Sequence, residues 1–371
     1  MNQERRLYYD AGPINWFWGA DHNDKMHLRF AYTLDHQVNG EELLEAWKKT
    51  LKVYPVINCI PDGSSGHMLF YETDLEPVVY ESEYPIAPCR KISAERGVSV
   101  TYWKDTVVFT TYHSILDGMG AIGVAKTLVY FYCCIHFRQE FDSTGIMIKE
   151  GRIPEEYFVS DYAAKLGEYH PVPLKAYPEG IEFFQDRNMV SPQDGIIPSA
   201  CFSLPKAQFM KRCKSIGANP TAMLCMIFGK ATYALYPEEN RRLALSVTIS
   251  WRDALGIPET IAPCSSAVIL SATHDELIHK EYEKIARKLR DDLNEQRQPD
   301  YIKTAAAFAR TYAMFQEKVA GVLSYEGNVE VGGCGEHVHL AYIVNHSSNT
   351  LHLLEQNDRF YAFCQFGKSF T

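Results

Sequence analysis

Two periods of apolar residues alternate along the chain, and the switches between them mark out its elements. Over residues 27–34, Leu28, Phe30, Tyr32 and Leu34 recur at every second position, as on a half-buried strand. Asn39-Gly40 supplies a turn. Residues 41–54 then take helical spacing, with Leu43, Leu44, Trp47, Leu51 and Tyr54 on one stripe, two acids at the start and Pro55 behind. Residues 56–60 and 67–72 read as a hairpin around Asp62-Gly63-Ser64-Ser65-Gly66, and 98–103 with 106–112 as a second around Lys104-Asp105. Val107 to Tyr112 is nearly all β-branched or aromatic, types a strand tolerates well. A helix follows, its Ile122, Ala125, Val129 and Tyr132 again at helical spacing.

Residues 142–200 break the pattern. Pro154, Pro171, Pro173, Pro178, Pro192 and Pro198, with Gly145, Gly151, Gly167, Gly180 and Gly195, predict a long crossover. Periodicity returns with a strand over 200–204. A helix over 205–216 has Pro205 in its first turn and Gly217 as its stop. Pro220-Thr221 opens the next helix, to 236. Residues 242–250 alternate as a strand ending in Trp251-Arg252-Asp253, and 264–271 predict another. One charged amphipathic helix is expected over 275–296, burying Leu277, Ile278, Tyr282, Ile285, Leu289 and Leu293, and a further helix over 299–319. Four strands, 321–324, 337–344, 350–354 and 359–366, end the chain. The series runs twice, which predicts two α/β lobes of similar make-up (α+β, with mixed sheets): an N-terminal lobe over 1–150, a linker over 151–198 and a C-terminal lobe over 199–371. The aromatic, irregular start, with Tyr8, Tyr9, Trp16, Phe17 and Trp18, is expected to pack on a sheet edge.

Composition narrows the class. At 371 residues, 46% hydrophobic and 22% charged, the chain has the make-up of a folded protein with a substantial core. Aromatic residues at 13% fit large cores or a wide aromatic-lined cavity. A net charge of -9 argues against general nucleic-acid binding, which needs a basic face. The ten cysteines lie at irregular spacing without C-x-x-C, so buried reduced thiols and a cytoplasmic setting are expected. No apolar segment follows the charged N-terminus as in a signal peptide, and no run approaches the roughly 20 apolar residues of a membrane span; the best, 222–228, is short.

The chemistry concentrates where the strand before residue 113 meets the helix after 117. His113, Asp117 and Gly118 stand there as H-x-x-x-D-G. Two readings fit the local pattern. One is a satisfied core histidine, a helix N-cap and a turn glycine. The other is an imidazole base at a strand end, where α/β proteins tend to hold working groups. Cys334, His337, His339 and His346 lack the spacing of a zinc site, and no G-x-S-x-G, phosphate loop or strand-linked G-x-G-x-x-G occurs. No metal and no permanently bound cofactor is expected.

His113-Ser114-Ile115-Leu116-Asp117-Gly118 at such a junction resembles the signature of the CoA-dependent acyltransferase superfamily, which includes chloramphenicol acetyltransferases, condensation domains, BAHD acyltransferases and alcohol O-acetyltransferases. The likeness spans about residues 26–366. Val53-Tyr54-Pro55 is similar to the end of the family's first strand–helix unit, Asn219-Pro220-Thr221 to its g-x-T helix, Ser250-Trp251-Arg252 to its n-x-R strand, and Ser324-Tyr325-Glu326-Gly327-Asn328 to its late S-x-x-G strand end. There are two departures. Tyr112 stands where many members have a second histidine, and the chain stops at Thr371 without the family's further helix and strand, so the C-terminal lobe is expected to be truncated at its end.

The resemblance implies two lobes with a tunnel between them, in which a thioester donor and an acceptor meet near His113. Such acyl transfer needs a base for the attacking hydroxyl or amine, and a neutral imidazole serves near pH 7. It implies that Asp117 pairs with Arg252 and that Gly118 keeps the turn clear. Ser324 and Tyr325, then Ser250, Ser265 and Ser266, are candidate oxyanion or substrate contacts, with Tyr112 beside the base. The co-substrate is acyl-CoA or an acyl-carrier phosphopantetheine. The implied partners are a small-molecule acceptor, the thioester donor and, for the second donor type, a carrier protein; the chain is expected to be a monomer or weak oligomer. A non-catalytic ligand- or carrier-binding module on the same fold is the alternative.

Overall fold

The structure is a computed structural model that describes residues 7–10, 27–62, 69–85, 96–113, 115–150, 165–175, 199–279, 281–307, 319–344 and 349–365. In chain order its strands are β1 (Leu7–Asp10), β2 (His27–Leu34), β3 (Cys59–Asp62), β4 (Leu69–Glu72), β5 (Tyr80–Glu81), β6 (Val98–Trp103) and β7 (Thr106–Tyr112). There follow β8 (Ser199–Pro205), β9 (Leu243–Ser250), β10 (Ser265–Ala272), β11 (Gly321–Asn328), β12 (Val338–Val344), β13 (Thr350–Gln356) and β14 (Arg359–Gln365). The helices are α1 (Gly40–Val53), α2 (Gly118–His136), α3 (Lys206–Ser215), α4 (Pro220–Leu235), α5 (Arg252–Leu255), α6 (His274–Ile278), α7 (Tyr282–Gln296) and α8 (Pro299–Ala307). They divide into two compact units: Met1–Ser160 with Glu259–Cys264 and Asn328–His346, and Asp161–Pro258 with Ser265–Gly327 and Ser347–Thr371.

The first unit is built on a five-stranded sheet in the order β12-β2-β7-β6-β5. β6 and β7 form the expected hairpin, with Lys104 at φ 53° in its turn. β2 lies antiparallel to β7, so Leu28, Phe30 and Tyr32 oppose Thr111, Phe109 and Val107, while His27 opposes Tyr112 on the other face. α1 covers the Phe109 face: Trp47 lies 6.1 Å from the Phe109 ring. Asn39 caps α1, its side chain accepting from the Glu41 and Glu42 amides. α2, 19 residues long, is the one described helix long and apolar enough to cross a membrane by size, and most of its apolar side chains are buried within the protein. A small sheet, β1-β4-β3, completes the unit.

The strand pattern over 338–344 is real, but its partner is β2: β12 pairs antiparallel with it, from Val344 opposite Arg29 to Val338 opposite Leu34. Side chains fasten the start of this late segment. Asp35, just after β2, accepts from His36 Nδ1 at 2.5 Å and from His337 Nδ1 at 2.9 Å. The His337 ring stacks on Phe137 at 3.9 Å, and His36 stacks on His136 at 4.0 Å. His136 Nδ1 in turn meets Glu42 Oε2 at 2.7 Å.

Burial works to raise the Asp35 carboxyl, but the hydrogen bonds from His337 and His36 outweigh it and hold the group below the usual carboxylate range. A carboxyl held low in the folded state stabilises above its unfolded value and loses that contribution as pH falls through the folded one. Acid is therefore expected to loosen this corner. Asp35 is a third exposed, so the effect is about 1 kcal/mol or less. Urea unfolding at pH 7 and pH 3 checks it: Asp35→Asn should lose less stability on acidification than the wild type.

The second unit carries a six-stranded sheet, β10-β9-β11-β13-β14-β8. β10 runs antiparallel to β9 and β11 parallel to it. β13 and β14 form a hairpin whose Asn357 and Asp358 both take positive φ, as a tight primed turn requires. α4 packs closely on the odd-numbered face of β9, where a Cβ at Gly229 would meet Leu243 and Leu277 within 3 Å. Leu243, Leu245, Val247 and Ile249 are buried, and Ser246, Thr248 and Ser250 point the other way.

Three expectations here need correction. Residues 275–296 form two helices: a Thr273–Glu276 capping box starts α6, and α7 begins anew at Tyr282. One continuous helix would place Ile278 on the stripe of Tyr282, Ile285, Leu289 and Leu293 and turn Leu277 off it. The break reverses this, burying Leu277 and leaving Ile278 exposed. Pro205 closes β8 and stands at the N-cap of α3 rather than inside its first turn. β11 extends past Ser324 to Asn328. Of the long helix expected over 299–319, the described part is α8; 308–318 and most of the 151–198 linker lie outside the described residues.

Candidate functional site

In the first unit β7 ends at Tyr112, and the chain turns at once. The Tyr112 carbonyl accepts from the amides of Ile115 at 3.0 Å and Leu116 at 3.3 Å. His113 sits in this turn and is half-buried, whereas Tyr112, Ile115, Leu116 and Asp117 are buried. Asp117 is the N-cap of α2: its Oδ1 accepts from Gly120 N at 3.0 Å. Its Oδ2 accepts from Cys264 N at 2.9 Å, so one carboxylate fixes both the helix start and the segment 259–264. Gly118 is the first helical residue. Ser114 lies outside the described residues.

Gly120 is the glycine this junction needs for space. A Cβ there would stand 2.1 Å from the Ile261 carbonyl oxygen, a backbone atom that cannot swing aside. Alanine ordinarily gains about 1 kcal/mol over glycine in a helix, but overpacking of this kind costs about 1–3 kcal/mol and sets the sign. Gly120→Ala is expected to lower the first unit's stability, read as an earlier urea midpoint, despite the better helix former.

Tyr112 faces away from α1. Its ring lies 4.2 Å from that of His27 and 5.9 Å from that of Phe70 on β4, so it packs as a buried wall beside the turn.

In the second unit, Ser324 Oγ lies 2.6 Å from Thr248 Oγ1 on the neighbouring strand and is buried. Ser250 Oγ accepts from the amide of Arg252 at 3.3 Å, and the Arg252 side chain is buried. Ser250 and Thr248 share a face of β9. Tyr325 points to the opposite face from Ser324. Its hydroxyl donates to Glu355 Oε2 at 3.2 Å, and burial, with the Glu355 charge beside it, pushes that hydroxyl up to about 12. Glu355 also holds Lys206. The two adjacent candidates, Ser324 and Tyr325, therefore do not serve one point. Within each unit the structure groups Tyr112, His113, Asp117 and Gly118 on one turn, and places Ser250 and Arg252 at the end of β9 and Ser324 midway along β11.

Sequence reasoning missed the Cys264 amide, the Gly120 contact and the Thr248–Ser324 pair. It also missed Glu326 and His352, joined Oε1 to Nδ1 at 2.9 Å between β11 and β13. A backbone amide leaves no trace in residue type. Gly120, two residues after Gly118, was the one visible signal. Among the described residues no group of three or more His, Cys, Asp or Glu is placed to hold a metal ion; His337 is engaged by Asp35, and His346 lies outside the described residues.

No protein-family model matches the sequence, and no curated protein matches it. Solved structures do. The epimerization domain from the third module of tyrocidine synthetase B is 12% identical with a TM-score of 0.63, over 96% of this chain and 90% of that one. Polyketide synthase associated protein 5 from Mycobacterium tuberculosis is 11% identical with a TM-score of 0.65, over 95% and 93%. F. graminearum TRI101, solved with coenzyme A and deoxynivalenol, is 10% identical with a TM-score of 0.62, over 99% and 96%. The chain therefore shares the chloramphenicol acetyltransferase-like fold of these structures.

Proposed function

We propose that the chain is an acyltransferase that moves an acyl group, acetyl in the simplest case, from a CoA or carrier-bound thioester to a hydroxyl or amine acceptor. The observation that carries this is the junction at residues 112–120. A buried carboxylate, committed to two backbone amides, braces a turn on which a half-buried imidazole stands. Asp117 is thereby occupied as scaffold, and His113 is the group to which we assign the chemistry.

His113 accepts the proton of the attacking hydroxyl or amine as that atom bonds to the thioester carbon. The carbonyl electrons move to oxygen, then return and expel the thiolate, which takes the proton back from His113. The donor is already activated, so no enzyme nucleophile is needed. Ser324 and Ser250 are the candidate donors to the oxyanion. When Thr248 donates to Ser324, the Ser324 hydroxyl keeps its own proton to give. Tyr112 walls the turn, Gly118 keeps it clear, and Arg252 balances Asp117, a pairing that rests on the family resemblance. Free acyl-CoA is one donor class, and TRI101 offers the example of coenzyme A on this fold. A carrier protein would be the partner for the other donor class.

The same fold is found in the epimerization domain of tyrocidine synthetase B, so a role without acyl transfer is the second reading. Thiol release from acetyl-CoA, followed with a panel of alcohols and amines, separates them. Acceptor-dependent release supports the proposal. Saturable ligand binding with no release from any thioester, CoA-borne or carrier-borne, favours the binding module.

A further inference from the structure

We infer that Glu326 and His352 form a positioning pair that sets the second half of β11, which begins near the Ser324 hydroxyl; this rests on the acyl-transfer function proposed above. Glu326 lies two residues after Ser324, so the two side chains share a face of the strand. On one side of β11, Ser324 is tied to Thr248 of β9. On the other, Glu326 is tied to His352 of β13, the next strand in the sheet. A polar row, Thr248–Ser324–Glu326–His352, thus crosses three strands. The backbone register of β11 with β9 covers Gly321–Leu323 and stops just before Ser324. From there onward β11 keeps β13 as its paired neighbour, and the Thr248–Ser324 bond ties it to β9; Gly327 then takes φ +77°.

The pair is costly where it stands. The Glu326 and His352 side chains are only 6% and 5% exposed, and a carboxylate and an imidazole at that depth give up most of their hydration. The surrounding positions on the same strands, Leu323, Leu351, Leu353 and Leu354, are buried and apolar. Two apolar residues would pack here at least as well. What an apolar pair lacks is direction: a bond from Oε1 to Nδ1 adds a fixed point between two strands that backbone pairing already aligns, and leucines do not. An oxyanion donor is sensitive to small shifts, because displacements of about 1 Å cost up to a hundredfold in rate.

The test compares the wild type with Glu326→Gln, which keeps an acceptor for the imidazole N–H, and with the double variant Glu326→Leu/His352→Leu, which keeps the packing and leaves no charge unpaired. The double variant is expected to lose about tenfold to a hundredfold in kcat with KM for acetyl-CoA within about threefold, and Glu326→Gln to recover most of the rate. Amide hydrogen exchange supplies a readout that does not depend on turnover: residues 324–328 should exchange about tenfold faster in the double variant than in the wild type or Glu326→Gln. An unchanged kcat, a loss confined to KM, or unchanged exchange at 324–328 would overturn the pair's role. If the wild type turns over no donor, the acyl-transfer function fails on its own and the exchange measurement still decides whether the pair positions the strand. Should the double variant not fold, Glu326→Gln and His352→Gln decide by the same exchange: both protected as in the wild type overturns the inference, faster exchange in His352→Gln supports it.

Discussion

Replacing His113 by alanine is expected to lower kcat for acyl transfer by about 10²–10⁴-fold, the range for losing a general base. KM for the donor should change little, because the imidazole acts on the attacking group's proton rather than on the thioester's remote parts. Stability should hardly move. His113 is half-buried in a turn, and the braces of that turn are the Tyr112 carbonyl and the Asp117 carboxylate. The measurement is thiol release under saturating donor, with the urea midpoint taken on the same sample. Wild-type turnover in His113→Ala would sink the mechanism. A loss of turnover together with a large loss of stability would instead assign His113 to the fold. His113→Gln separates the two further: it keeps a hydrogen-bonding side chain of similar reach but accepts no proton at neutral pH, so it should be as inactive as the alanine.

The elements were legible where local chemistry alone decides them. β2, β6 and β7 follow from strict alternation and from a short turn, and α1 and α4 from a cap and a following stop. What the pattern cannot convey is partnership. Nothing about residues 338–344 says that they complete a sheet begun at His27, since alternation gives a strand its two faces and leaves its edges anonymous. Helix phase failed for a related reason. Leu277 and Ile278 are equally apolar, and only the packing of Leu277 toward Gly229 shows which of them the core takes. At the candidate site, residue type and spacing singled out His113 and Asp117 as candidates. They also made Ser324 and Tyr325 look like one unit, which the period of a strand forbids. The Asp117 partner at Cys264 was invisible because it is a backbone amide 147 residues away.

That amide makes Asp117 the position where the largest loss of stability is expected. Asp117→Ala removes two acceptors at once. Loss of the cap to Gly120 N costs about 0.5–2 kcal/mol. The Cys264 amide is then left buried without its acceptor, which costs about 1–3 kcal/mol more. The sum is roughly 1.5–5 kcal/mol, a large share of the stability of an ordinary domain. Asp117→Asn is the sharper variant. Asparagine is as good an N-cap as aspartate, so a pure capping role predicts almost no loss. Its single carbonyl oxygen, however, cannot serve two amides on different sides, and its NH₂ would face whichever N–H the oxygen does not take. Because the carboxylate is only 2% exposed, water has little room to mediate. Asn should therefore lose at least half of what Ala loses, in urea unfolding at neutral pH. Loss of the brace also frees the turn that carries His113, so kcat should fall in both variants even where the protein remains folded. A stable Asp117→Asn with full turnover would show that the carboxylate holds the helix alone, and that the segment 259–264 is kept in place by something other than this bond.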